Sequence, residues 1–92
     1  MRLLLIEDNL RLADYLSTAL RNVGFAVDHV STTADADGAL ATTHYDTLLL
    51  DLGLPDKDGL IWLGDQRRCQ MTRPVLVLTA RDSVEDLVAG LN

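Results

Sequence analysis

Residues 1–9 read MRLLLIEDN: the four apolar residues at 3–6 run directly into the adjacent acids Glu7 and Asp8, and then into Asn9. A continuous apolar run of that length reads as a strand buried on both faces. Ending it on two neighbouring carboxylates sets like charges side by side, which is unfavourable unless something holds them. The theme returns at residues 47–52, TLLLDL, where another apolar run ends on an acid, Asp51.

The intervening segments change period. Over residues 9–23 the apolar positions Leu12, Leu16, Ala19, Leu20 and Val23 form one helical stripe, and Gly24 stands where a left-handed cap would end the helix. FAVDHV, residues 25–30, alternates with a polar residue on each face, as a strand at a sheet edge does. Thr32 with Asp35 resembles a capping pair and predicts a helix over about residues 33–43, with Ala36, Ala39 and Leu40 facing inward. The loop GLPDKDG, residues 53–59, precedes a helix expected over residues 60–70, closed off by Pro74. PVLVLTA, residues 74–80, reads as a fourth strand, and Asp82 or Ser83 caps a last helix. The order βαβαβαβα predicts an α/β fold: a doubly wound parallel sheet with right-handed crossovers and helices on both faces. With no repeat or linker, residues 1–92 read as one domain.

Composition narrows the function classes. An apolar fraction of 48% with 24% charged residues is that of an ordinary globular chain. The formal charge of −6, from 14 acids and 8 bases, argues against this chain gripping phosphate backbones itself. One cysteine, Cys69, permits no internal disulfide and reads as a small filler or a spare thiol. No apolar stretch approaches the roughly 18 residues that span a membrane, and no secretory signal follows Met1, so the expected setting is cytoplasmic.

In open parallel sheets the binding crevice lies beyond the carboxyl ends of the strands. Glu7 and Asp8 end the first strand, Asp51 the third and Thr79 the fourth. Were the strands ordered 2-1-3-4, the first and third would be neighbours about 4.8 Å apart, and the three carboxylates would converge on one pocket. A hard divalent cation resolves their conflict: Mg²⁺ takes oxygen ligands, usually one or two carboxylates with waters and phosphate oxygens. His29 and His44 read as surface histidines away from these acids. Trp62 reads as a core residue, with a partner-facing patch as the alternative, in a helix that Gly64 weakens by roughly 1 kcal/mol.

The stretches LLLIEDN, LLLDLGLPDKDG and VLVLTAR together resemble the motifs of response-regulator receiver domains, in particular those of the two-component transcription factors with winged-helix outputs. The resemblance runs along the whole chain in order and spacing. It implies a flavodoxin-like sheet of order 2-1-3-4 in which the family's fifth strand and fifth helix are missing, so that residues 1–92 form a receiver domain incomplete at the C-terminus. It implies that Asp51 is the phosphoacceptor, phosphorylated by a sensor histidine kinase with Mg²⁺, the chain not being a turnover enzyme. Asp8 would be a direct metal ligand, Glu7 would act through water, and Gly53 would offer its backbone carbonyl. Thr79 would be the switch hydroxyl, with Ala80 leaving access to the pocket and Pro55 and Gly59 shaping the loop. DNA would be bound through an output domain absent from this chain, and self-association is expected from the exposed fourth strand. The strand-five lysine of the family has no counterpart, because the single lysine, Lys57, lies in the loop after Asp51.

Three rivals share parts of this pattern. A haloacid-dehalogenase-type phosphatase needs a second acid two residues after its nucleophile, where Gly53 stands. A flavodoxin-like cofactor binder wants a hydroxyl- and glycine-rich phosphate loop after the first strand, where Glu7 and Asp8 would repel the phosphate. A non-phosphorylatable pseudo-receiver, acting as a protein-interaction module, would keep the fold without the chemistry.

Overall fold

The structure, a computed structural model, describes residues 1–78. Its elements run β1 (Arg2–Ile6), α1 (Leu10–Asn22), β2 (Ala26–Val30), α2 (Thr33–Thr42), β3 (Thr47–Asp51), α3 (Gly59–Arg68) and β4 (Val75–Leu78). The four strands form one parallel sheet in the order β2-β1-β3-β4, as expected. Thr79, Ala80 and the expected last helix lie outside the described residues.

Alternate residues of each strand point to opposite faces, so an unbroken apolar run serves two cores at once. Leu3, Leu5, Val27, Leu49 and Leu78 meet Ala13, Leu16 and Leu20 of α1 on one face. Leu4, Ile6, Leu48 and Leu50 meet Ala36 of α2, Trp62 of α3, Tyr45, Leu54 and Met71 on the other. Trp62 is a core residue, as predicted, only 1% exposed, and its indole N–H donates to Asp37 of α2 at 2.9 Å. At the opposite rim from the acids, Tyr45 Oη donates to Asp28 at 2.7 Å and Arg2 pairs with the same carboxylate.

Two expectations about the helices are corrected. The buried positions of α1 are Ala13, Leu16, Ser17 and Leu20, whereas Ala19 is exposed and Val23 is the exposed C-cap residue. The stripe is turned by about one residue and takes in the small residues Ala13 and Ser17, an arrangement that an apolar count does not reveal. The second correction concerns α3, which stops at Arg68 instead of continuing to residue 70. Its end is a left-handed cap: Gln70 has φ 65°, its N–H bonds to the Arg67 carbonyl, and Met71 N–H bonds to the Gln66 carbonyl. α1 ends in the same motif with Gly24 at φ 104°, as predicted.

A non-glycine residue in the left-handed region is disfavoured by roughly 1–2 kcal/mol. Gln70→Gly is therefore expected to stabilise the fold by about 1 kcal/mol, read as a higher denaturation midpoint. A lower midpoint would show that the Gln70 side chain makes a contact outweighing its backbone cost.

Candidate functional site

The register of β1 against β3 pairs Leu5 with Leu49 and Ile6 with Leu50, so the next residues, Glu7 and Asp51, emerge at the same rim of the sheet. Asp8 follows in the turn into α1. One carboxylate oxygen from each of Glu7, Asp8 and Asp51 lies within 4.8 Å of the others. Glu7 and Asp51 are buried, 3% and 7% exposed, while Asp8 opens to solvent. The convergence expected from sequence is thus present.

Local hydrogen bonds explain how each acid is held. Asn9 serves both sides of the first turn: its backbone N–H donates to Glu7 Oε1 at 2.9 Å, and its side chain caps α1 by accepting from Leu12 N–H. Gly53 N–H donates to Asp51 Oδ1 at 3.2 Å. Burial pushes the Glu7 carboxyl up from 4.5 to about 7, with the neighbouring Asp51 charge adding to the rise and the Asn9 N–H opposing it. Burial also raises Asp51, reinforced by Asp8 and opposed by the Gly53 N–H. The donor set is all oxygen, two carboxylates are desolvated and mutually repelling, and the third faces water, which suits a hard divalent cation that keeps some of its hydration.

The loop after Asp51 closes tightly over the end of β3. Gly59 N–H bonds to the Leu52 carbonyl, and a Cβ at Gly59 would lie 2.8 Å from both the Asp51 carbonyl oxygen and Leu52 Cα. Glycine is required there by close approach. Leu54 is buried in the core, and Pro55 is exposed beside it. Asp58 caps α3 by accepting from Leu60 and Ile61 N–H. Lys57 reaches away to Asp65 of α3, at 2.6 Å.

Two contacts escaped the sequence reading. His29, expected to lie away from the acids, has Nε2 2.7 Å from the Glu7 carbonyl oxygen. A carbonyl only accepts, so Nε2 carries the proton and donates. Its place was legible only through register, because Ile6 pairs with Val30 and Leu5 with His29. The second is Asp56, whose carboxylate takes three hydrogen bonds from the start of α2. His44 is exposed, as predicted, beside Asp46, and Cys69 is a free, exposed thiol.

An open parallel α/β sheet with an acid pocket beyond β1 and β3 defines the class. The chain belongs to the response regulator receiver domain family, whose profile matches residues 3–92. It is 46% identical over 92 residues to the transcriptional regulatory protein PmrA of Pectobacterium parmentieri and 45% identical to BasR of Escherichia coli K12, in each case over all of this chain. It spans 41% of the length of each of those relatives. Among solved structures, the MaeR response regulator bound to beryllium trifluoride superposes with a TM-score of 0.83 at 30% identity, covering 99% of this chain and 76% of that one. No helix among the described residues is long and apolar enough to cross a membrane.

The raised Glu7 carboxyl links the site to stability. Its folded value lies above the unfolded 4.5, so the stabilisation tied to its proton is complete below about pH 4.5 and is lost as pH rises through about 7. Without divalent cation, the urea midpoint of the chain is expected to fall across that window, and Glu7→Gln, which cannot titrate, to flatten the fall. A slope unchanged in the variant would assign the dependence to another group.

Proposed function

We propose that this chain is the phosphoacceptor receiver of a two-component response regulator, with Asp51 as the residue that takes the phosphoryl group. The observation that carries the reading is the convergence of Glu7, Asp8 and Asp51 within 4.8 Å at the carboxyl ends of adjacent parallel strands. A carboxylate oxygen of Asp51 attacks phosphorus, the O–P bond forms as the P–N bond of a phosphohistidine breaks, and the electron pair leaves with the imidazole nitrogen. Attack requires ionised Asp51. Gly53 N–H, donating to Asp51 Oδ1, orients the attacking carboxylate.

The residues fit Mg²⁺. Asp8 and Asp51 would hold it directly with the Gly53 carbonyl, Glu7 through water, and when bound it supplies positive charge against the phosphoryl oxygens. Thr79 as switch hydroxyl and Ala80 as the small residue beside it complete the reading, and Pro55 and Gly59 keep the loop in place. A sensor histidine kinase is the proposed donor. Two named transcriptional regulators more than twice as long as this chain support a DNA-binding output elsewhere in a full-length protein, acting in the cytoplasm. Self-association through β4, an edge of the sheet among the described residues, belongs to the same proposal.

Intact-mass measurement after treatment with acetyl phosphate and Mg²⁺ tests the chemistry. The expected product is heavier by one phosphoryl group, about 80 Da, labile to hydroxylamine and lost in Asp51→Asn. No gain, or a gain that survives in Asp51→Asn, would favour a pseudo-receiver or a different acceptor.

A further inference from the structure

We propose that Asp56 is a positioning residue for the acid site: from the loop between β3 and α3 it ties that loop to the start of α2 and so holds Gly53 against Asp51. The inference rests on the reading of Asp51 and Gly53 just given, and its geometry is independent of it. Asp56 Oδ1 accepts from Thr33 N–H at 3.1 Å, while Oδ2 accepts from the Thr33 hydroxyl at 2.8 Å and from Ala34 N–H at 3.1 Å. Three donors on one carboxylate, all from two consecutive residues, fix both its position and its rotation.

The bonds do more than cap a helix. α2 already has its own cap in Thr32, whose side chain accepts from Asp35 N–H. Asp56 takes the two earlier N–H groups, which a helix's own cap leaves free, and sits at the positive end of the helix dipole. The Thr33 N–H in particular holds the Asp56 carboxyl below the usual carboxylate range, so it stays anionic near neutral pH. Thr33 itself is buried, which gives the tie a rigid anchor.

The loop has only a few other holds. Gly59 N–H closes its base on Leu52, Leu54 is sunk in the core, and Lys57 pairs with Asp65 of α3. Among the described residues, Asp56 alone connects the loop to the β2–α2 side through side-chain hydrogen bonds. Gly53 lies three residues before it, exposed and without a side chain, its N–H on Asp51 Oδ1 and its neighbour Leu54 in the core, so the Asp56 tie adds a second hold on the loop that carries it.

The test compares Asp56→Ala, Thr33→Ala and Lys57→Ala in the full chain, well below the melting temperature. Amide hydrogen exchange of Gly53 is read without metal, and Mg²⁺ affinity is read separately by NMR titration. Loss of an outer partner that orients ligands typically costs 10- to 100-fold in metal affinity, so Asp56→Ala is expected to weaken Mg²⁺ binding by about tenfold and to speed Gly53 exchange. Thr33→Ala, which removes one of three bonds, should move both in the same direction but less, and Lys57→Ala should move neither. If Asp56→Ala lowers only the melting temperature, leaving Gly53 exchange and Mg²⁺ affinity unchanged, Asp56 merely caps α2 and the proposal is overturned. If the unsubstituted chain binds no Mg²⁺ and takes no phosphoryl group, the functional reading fails, and the metal-free Gly53 exchange still decides the positioning role.

Discussion

The parallel pairing of β1 with β3 is the constraint on which the site depends. Leu3, Leu4, Leu5 and Ile6 on one strand and Leu48, Leu49 and Leu50 on the other are all nearly or fully buried. Burying each such side chain is worth roughly 1.5–3 kcal/mol. Two carboxylates about 5 Å apart repel by roughly 3–4 kcal/mol at an effective dielectric constant near 20. The apolar register therefore wins by a wide margin, and the acids go where it puts them. Their conflict is then relieved locally, by a proton retained on Glu7 or by a cation, and either route makes the pocket responsive to its surroundings.

The segment after Asp51 answers a different requirement. The chain holds the Asp51 carboxylate with backbone rather than with bulky side chains. Gly59 lets the returning loop pass within contact of the Asp51 carbonyl, Gly53 presents an N–H to the carboxylate, and Asp58 turns the chain straight into α3. Leu54 ties the middle of the loop to the same core that fixes β3. Packing and chemistry thus share one short stretch, residues 52–59.

Much of this was legible in the sequence because it rests on strong local signals. The two apolar runs ending on acid, the edge-like alternation of β2, the Thr32 cap and the Gly24 turn are each set by nearest neighbours, and each stands where it was expected. What sequence reading missed depends on partners distant along the chain. The phase of α1 turns small Ala13 and Ser17 inward, which a count of large apolar residues does not show. α3 ends early because Gln70 adopts a conformation usually left to glycine. His29 meets the Glu7 carbonyl, and Asp56 meets Thr33, 23 residues away in sequence, only after the sheet has brought those segments together.

The central claim is that Glu7, Asp8 and Asp51 form one electrostatically coupled oxygen site suited to a divalent cation. Carboxyl ¹³C NMR titration of the chain, with and without Mg²⁺, addresses it directly. Without metal, Glu7 should titrate near 7 and Asp51 above the ordinary aspartate range, each curve responding to Asp8→Asn. With Mg²⁺, both should move to lower pH together, since a bound cation favours the ionised forms. A Glu7 that titrates near 4.5, unmoved by Mg²⁺ and by Asp8→Asn, would mean that the acids are independent charges on the sheet rim.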